Sequence, residues 1–344
     1  MSCTTFRLYN PLDYPYTNME ESANTKAASV LSATLPIHVF HCSKNEQGYI
    51  GLCFSIDIPK DSPVTLLTWK GDIETRAEYE INKSQKAMRL YFEGNGLCLL
   101  HFPDREKLIS ISLDNNMEPF ARINAKCLNN FPNIIAIHEP MAWTIQGDLS
   151  TLNNFERLNT LQLSGMWGDV SEMKQDFSTI VDLSFSNSSV TGDLNKALKG
   201  TCKLGELMLE SNDITFNVNG DGTSALYKLY CRHSPNVTGD LGNTRLLRVM
   251  SDQYNVFSWK TSRDTSLVPI TLKNVYFKTV SDVKHMIEDI GKCKNSESEI
   301  VIDIYTIDGK TLASTDTNKT VLQNKGIDSL KINGTVLFKK EKTL

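Results

Sequence analysis

The sequence predicts a mainly β chain with α/β elements, ordered as an N-terminal arm, a small β-sandwich, a repeat solenoid and an α/β cap. Three observations carry that expectation. A Gly-Asp-apolar triplet recurs at Gly147-Asp148-Leu149, Gly168-Asp169-Val170, Gly192-Asp193-Leu194 and Gly239-Asp240-Leu241. An L-x-x-L-x-L core keeps the same beat several residues ahead of the triplets. Outside this stretch the pattern changes, to strand-like runs before it and to alternating strands and helices after it.

Composition narrows the function classes. With 344 residues, two or three domains are expected, because single cores stop growing efficiently near about 250–300 residues. A chain with 40% hydrophobic and 22% charged residues is an ordinary globular one. The net charge of -4 gives no case for a nucleic-acid partner, which would need a basic stripe to release counterions. Lys339-Lys340-Glu341-Lys342 reads as a solvated tail. No run approaches the roughly 18 apolar residues that would insert in a membrane. The opening MSCTTFRLYNPLDYPYTN lacks the basic start and apolar run of a secretory signal. The eight cysteines are scattered without a C-x-x-C, as expected of reduced thiols in a protein made in a cytoplasm.

Residues 1–45 read as an extended arm, with aromatics between prolines and no sustained period. Phe6, Tyr9, Tyr14 and Tyr16, with Leu8 and Leu12 as lesser anchors, either dock on a partner or pack on their own chain. Residues 46–104 read as a small antiparallel β-sandwich: YIGLCFSIDIP, PVTLLTW, EYEINK, MRLYFEG and LCLLHF run apolar or alternate between turn residues.

Residues 105–260 carry the repeats. The triplet glycines are spaced by 21, 24 and 47 residues, the last close to two periods. A degenerate copy, Ser211 to Val218, fills the gap. The apolar core appears as Leu158-x-x-Leu161-x-Leu163, Ile180-x-x-Leu183-x-Phe185, Leu204-x-x-Leu207-x-Leu209 and Leu226-x-x-Leu229-x-Cys231, more weakly as Leu246-x-x-Val249, and upstream as Leu108-x-x-Ile111-x-Leu113. Each L-x-L predicts a short parallel strand whose alternate residues enter the core. Asn115, Asn187 and Asn212, which follow such strands, are suited to bond turn backbone. One coil alone could not bury its apolar face, but stacked coils can, which gives a leucine-rich-repeat-like solenoid. In the triplet, Gly147, Gly168, Gly192 and Gly239 permit a tight bend, Asp148, Asp169, Asp193 and Asp240 cap the next turn of chain, and the apolar residue returns to the core. A carboxylate ladder for metal binding or catalysis is the competing reading of the Asp column.

Residues 261–344 predict an α/β cap of strand, helix, strand, helix, strand. Its first helix presents Val283, Met286, Ile287 and Ile290 on one face. Such a unit would cover the last open coil.

The motifs of chemistry are weak. His38 and His41, beside Cys42, fall on opposite faces of a strand and lack a second ligand pair, so no metal is expected. Asn217-x-Asn219-x-Asp221-Gly222 copies the start of a calcium loop, but Lys228 stands where a bidentate Glu is required; a turn is expected. Gly94-Asn95-Gly96 lacks the third glycine and the helix of a dinucleotide site. No catalytic residue and no cofactor is expected.

Trp69-Lys70-Gly71-Asp72, then MRLYFEGNGLCLLHF, KLISISLDNN and the Gly-Asp-apolar repeats, together resemble the leucine-rich-repeat-like surface and virion proteins of Bacteroidota and their tailed, crAss-like phages. The segment from Ser281 to Leu337 is similar to the capping end of such proteins. The inserted Lys70 departs from the family's WGD-type turn. The resemblance implies architecture and supplies no catalytic residues.

Two functions compete on these grounds. One is a non-enzymatic virion structural protein, a head fibre, capsid decoration or tail-associated component, assembled in the bacterial host cytoplasm. Its arm would attach it to other virion proteins of the capsid or tail. The other is a bacterial cell-surface adhesin or protein-binding module. The absence of an export signal favours the first. A homo-oligomer is expected, since decorations sit on symmetric sites, and a host-surface glycan or protein is a further candidate partner. A glycan hydrolase stands third, since it would need a carboxylate pair at fixed separation.

Overall fold

A computed structural model describes residues 37–40, 50–56, 63–70, 73–80, 87–92, 98–101, 108–113 and 122–340, apart from 140–144, 199, 201–202, 265–269, 291–300, 313–318 and 325–326. The chain divides into two compact units, Met1–Asn133 and Ile134–Leu344. Strands dominate both, and only three short α-helices occur among the described residues. No helix there is long and apolar enough to cross a membrane.

The first unit contains β1 (Ile37–Phe40), β2 (Ile50–Ile56), β3 (Pro63–Lys70), β4 (Ile73–Glu80), β5 (Ala87–Phe92), β6 (Cys98–His101), β7 (Leu108–Leu113) and β8 (Arg122–Asn124). One antiparallel set runs β8-β1-β6-β3-β4, and in the other β2 lies between β5 and β7. In the antiparallel pairing of β3 with β4, Lys70 stands opposite Ile73. A 3-10 helix, Ala125–Asn130, follows and buries Ala125 and Leu128.

The second unit is built of repeated passes of chain. Its strands are β9 (Ala136–His138), β10 (Ile145–Asp148), β11 (Thr160–Ser164), β12 (Met166–Asp169), β13 (Asp182–Ser186), β14 (Ser189–Thr191), β15 (Glu206–Met208), β16 (Phe216–Asn217), β17 (Lys228–Tyr230), β18 (Val237–Asp240), β19 (Arg248–Met250), β20 (Val256–Ser258), β21 (Thr271–Phe277), β22 (Val301–Thr306), β23 (Ser329–Ile332) and β24 (Thr335–Lys339). The α-helices are α1 (Leu194–Ala197), α2 (Val280–Ile290) and α3 (Lys319–Asn324).

A long parallel sheet runs β9-β11-β13-β15-β17-β19-β21-β22-β23, with β24 antiparallel at its end. It contains the L-x-L strands β11, β13, β15 and β17, with β19 as the weaker copy and β9 and β21 flanking them. Their middle residues stand in register, Ile137, Leu161, Leu183, Leu207, Leu229, Val249 and Leu272, and all are buried. Burying one such side chain contributes about 1.5–3 kcal/mol, so the aligned column is a main source of cohesion between passes. Backbone bonds repeat with it: Val181 N–H donates to Asn159 O at 2.7 Å, Gly205 to Val181 at 2.8 Å, Tyr227 to Gly205 at 2.9 Å and Leu247 to Tyr227 at 2.7 Å.

Shorter parallel strands form two further sets, β10-β12-β14 and β16-β18-β20. The two sides of the passes converge on β21. One edge of β21 is taken by β22, from Leu272 to Phe277. Its other edge is shared: Thr271 to Lys273 pair with β19, and Tyr276 and Phe277 pair with β20. The register shifts between Lys273 and Val275, and the intervening Asn274 has φ +54°. β21 therefore carries a fork with a bulge at its crotch.

Polar side chains cross-link consecutive passes. Gln175 accepts from Phe155 N–H at 3.0 Å and donates to Phe155 O at 3.3 Å. Buried Asn212 donates to Phe185 O at 2.6 Å and accepts from Ile214 N–H at 3.1 Å. Asn187 instead supplies a positive φ of 50°, which Asn tolerates well. Asn115 lies outside the described residues.

After β21 the order is helix, strand, helix, strand. Thr279 and Asp282 form a reciprocal cap at the start of α2: Asp282 Oδ2 accepts Thr279 N–H at 3.0 Å, and Thr279 Oγ1 accepts Asp282 N–H at 3.3 Å. Val283, Met286, Ile287 and Ile290 are buried along one face of α2. The same helix holds the fully buried Trp259, whose indole N–H donates to Asp289 Oδ2 at 2.8 Å while its backbone N–H reaches Asp282 Oδ1 at 2.9 Å.

Candidate functional site

The triplets close the second strand of a pass and start its next turn. Asp148, Asp169 and Asp240 end β10, β12 and β18 and cap the 3-10 helices Leu149–Thr151, Val170–Glu172 and Leu241–Asn243, accepting from Ser150, Ser171 and Gly242 N–H at 2.9, 2.8 and 3.1 Å. Asp193 caps α1 through Lys196 N–H at 3.4 Å. Hydrogen bonds from the Ser171 hydroxyl and N–H hold the Asp169 carboxyl below its ordinary range. Gly168 and Gly192 sit at φ +103° and +95°, and each faces the cap of the pass before. A Cβ on Gly168 would meet Asp148 Oδ1 at 2.7 Å, and one on Gly192 would meet Asp169 Oδ1 at 1.8 Å. Gly147 lies within β10, and Gly239 within β18. The carboxylates thus hold turn backbone. Among the described residues, no group of three or more His, Cys, Asp or Glu side chains is placed to share a metal ion.

The calcium-loop look-alike is similarly committed to its own chain. Asn219 Nδ2 donates to Asp240 O at 2.9 Å and Asn243 O at 3.0 Å, and its Oδ1 accepts Asp240 N–H at 2.6 Å. Asn217 Oδ1 accepts Asn219 N–H at 2.9 Å.

The outward face of the long parallel sheet carries chemistry of a different kind. In one register row stand Thr160, Asp182, Glu206, Lys228 and Arg248; in the next stand Gln162, Ser184, Met208, Tyr230, Met250 and Lys273. Neighbours on the rows are bonded. Gln162 Nε2 donates to Asp182 Oδ2 at 2.8 Å, Lys228 Nζ meets Glu206 Oε2 at 2.5 Å, and the Tyr227 hydroxyl donates to Glu206 Oε1 at 2.7 Å. The Lys228 ammonium and the Arg248 guanidinium lie 5.1 and 5.6 Å from the Tyr230 ring centroid, within cation–π range.

These contacts set the charge of the face. Burial pushes the Asp182 carboxyl up, against the opposing bond from Gln162. Partial burial acts the same way on Glu206, but the bonds from Lys228 and Tyr227 and the nearby cations bring its carboxyl below the ordinary range. The Glu206 bond raises Lys228 and Tyr227. The face therefore passes from a partly desolvated carboxyl at Asp182 to paired cations at Lys228 and Arg248.

At the fork of β21 the face opens into a cleft of about 390 Å³. One wall is the stacked pair Tyr276 and Tyr305, which stand opposite each other in register with ring centroids 4.5 Å apart and planes 10° from parallel. Burial, and then the proximity of Tyr305, raises the Tyr276 phenol. The facing wall is the turn 251–255. Its Asp252 accepts His233 N–H at 2.7 Å and Tyr254 N–H at 3.1 Å, and meets His233 Nδ1 at 3.0 Å. Ser251 and Asn255 are buried beneath it and bonded to each other at 3.2 Å. Tyr254 is 50% exposed, and its ring lies 5.7 Å from that of His233. Arg232 and Asn274 complete the rim.

The sequence pattern singles out no part of this cleft. Its tyrosines are far apart in the chain, and only the register of β21 with β22 joins Tyr276 to Tyr305. The anchors Phe6, Leu8, Tyr9, Leu12, Tyr14 and Tyr16 lie outside the described residues, as do the side chains of His38, His41 and Cys42.

Neither a scan against protein-family models nor a search of curated proteins finds a match to this chain.

Proposed function

We propose that this chain is a non-enzymatic display and recognition protein: a leucine-rich-repeat-like solenoid with a β-sandwich ahead of it and an α/β cap behind it, carried on a tailed phage particle by its N-terminal arm. The observation that carries the recognition role is the ordered outward face of the parallel sheet. Side chains on successive passes are held to one another in fixed positions, from Gln162 and Asp182 through Glu206, Lys228, Tyr230 and Arg248. Such pre-ordering lowers the entropy cost of binding a partner. The carboxylates of Glu206 and Asp252 are bonded within the chain, as suits a surface that holds shape.

The solenoid reading is supported by the aligned core column and the repeating bonds between passes. The α/β segment supports a capping role, since β22 and β23 extend the sheet while α2 covers Trp259. The virion assignment rests on the resemblance carried by the Trp69-Lys70-Gly71-Asp72 motif and the repeats. On it, Phe6, Leu8, Tyr9, Leu12, Tyr14 and Tyr16 contact capsid or tail proteins, and the chain forms a symmetric homo-oligomer, assembled in the bacterial cytoplasm.

Quantitative peptide mass spectrometry on gradient-purified phage particles and on host membranes from one culture tests the assignment. Recovery from particles at a fixed ratio to the major capsid protein is expected. Absence from particles together with enrichment in membranes would overturn it in favour of a cell-surface adhesin.

A further inference from the structure

We propose that the cleft at the fork of β21 is a saccharide-binding site, in which Tyr254 and the Tyr276–Tyr305 pair receive the C–H faces of a sugar while Asp252, Arg232 and Asn274 bond its hydroxyls. This deepens the recognition reading above and rests on it.

The size and position of the cleft fit a ligand site. Its volume of about 390 Å³ lies within the roughly 300–1,000 Å³ of small-molecule sites. Like the crevices of open α/β sheets, it sits where strand neighbours diverge: β19 leaves β21 at Lys273 and β20 takes over at Tyr276. The gap is thus produced by the topology and does not depend on one side-chain rotamer. The bulge at Asn274, with φ +54°, marks the same point.

The lining selects the ligand class. None of the residues around the cleft is aliphatic; they are tyrosines, a histidine and polar or charged side chains. A bound peptide segment gains most from burying aliphatic or aromatic anchors in a fully apolar pocket, and here the tyrosine rings share the lining with polar side chains. A pyranose ring has the complementary surface. Its axial C–H groups form flat apolar patches that lie on aromatic rings, and its rim of hydroxyls both donates and accepts. Tyrosine supplies the apolar body with a polar tip.

The Asp252 carboxylate is fixed before any ligand arrives. Asp252 is clamped by the N–H groups of His233 and Tyr254 and by the His233 ring. Its Oδ1, which accepts Tyr254 N–H, can still accept from a sugar hydroxyl, because a carboxylate oxygen carries two lone pairs, whereas Oδ2 already meets both the N–H and the ring of His233. Arg232 adds donors, and Asn274 adds both donors and an acceptor. Beneath the turn, Ser251 and Asn255 tie it to the preceding pass, with Asn255 Nδ2 donating to Ser234 O. A ring platform with a clamped carboxylate suits a weak, hydroxyl-rich ligand, since each side chain immobilised on binding costs about 0.5–1.5 kcal/mol.

The test uses the purified full-length chain on a printed array of defined bacterial and mammalian oligosaccharides, with each hit confirmed by saturation-transfer NMR. Binding to at least one oligosaccharide is expected. Tyr254→Ala should weaken it at least tenfold, Tyr254→Phe should retain most of it, and Val336→Ala, at an exposed position of β24 outside the cleft, should leave it unchanged. Tyr305→Ala serves as a second variant on the opposite wall, with melting curves to confirm that each variant is folded. Binding that survives both Tyr254→Ala and Tyr305→Ala would overturn the site while leaving the recognition reading intact. Absence of any saccharide binding, alongside capture of the chain by protease-sensitive cell-surface material, would do the same. Absence of both would overturn the site and the recognition reading together.

Discussion

The carboxylate of Asp169 fills the place where a side chain on Gly192 would begin, with Oδ1 only 1.8 Å from a Cβ built there. The same relation joins Asp148 to Gly168. Each Asp caps its own pass, and Gly168 and Gly192 make room for the cap of the pass before. Two residues adjacent in the triplet therefore act on opposite neighbours.

Gly192→Ala should destabilise the second unit by at least about 2 kcal/mol, since it adds left-handed strain of about 1–2 kcal/mol to a direct clash. Asp169→Ala in the same chain removes the clash but not the strain. Urea denaturation of the single and double variants should show a partial recovery; equal stabilities of Gly192→Ala and wild type would refute the interlock.

Glu206 and Lys228 should couple by about 0.5–1 kcal/mol in a double-mutant cycle, as a partly exposed, hydrogen-bonded pair. Because the folded Glu206 is held below its unfolded value of about 4.3, its contribution is present above that pH and fades as pH falls through the folded value. Lys228 is raised, so its contribution is present below about pH 10.4 and is lost as pH climbs through the folded value. Asp182, raised by burial, acts oppositely to Glu206: its contribution is full below about pH 3.9 and disappears as pH rises through its folded value. Chemical denaturation across pH in wild type, Glu206→Gln and Asp182→Asn separates the two carboxyls by the sign of their slopes.

Asn219→Ala removes three bonds to the next pass and should cost about 1–2 kcal/mol. The Asn217 and Asn219 Oδ1 atoms that accept Asn219 and Asp240 N–H would be ligands of any calcium loop. Millimolar calcium should therefore leave the melting temperature of the wild type unchanged; a rise of several degrees would revive the calcium reading.

Cys231 is fully buried, and burial pushes its thiol up to about 12. A thiolate-selective alkylating reagent at pH 8 should leave the Cys231 peptide unmodified in the folded protein and modify it fully in guanidinium. Peptide mass spectrometry reads both states.

Much of the second unit is legible from period alone. Leu161, Leu183, Leu207 and Leu229 occupy the same place in each pass, and burying an apolar strand face permits only one register. The triplet announces turns and caps because Gly and Asp answer local backbone needs. The second strand of each pass escapes such reading, since segments as short as Ser189–Thr191 carry no alternation that stands out from turn residues. The cleft is hidden for another reason. Tyr276 and Tyr305 meet across two parallel strands with a helix between them, and Asp252 reaches the opposite wall from a turn with no motif of its own. Such meetings are set by tertiary register, which no local pattern records.

The interlock of cap and glycine also decides how a chain of this kind can change length. Asp182 stands opposite both Thr160 and Glu206, so excising residues 168–191 would bring Thr160 against Glu206 and Asp148 against Gly192. The new Asp–Gly junction would repeat a relation already present, while the Gln175–Phe155 and Asn212–Phe185 cross-links would be lost. Cuts at other points would leave a carboxylate without its niche. In-frame recombination between equivalent glycines is thus a route to longer or shorter forms, in which the long parallel sheet gains or loses strands in whole steps.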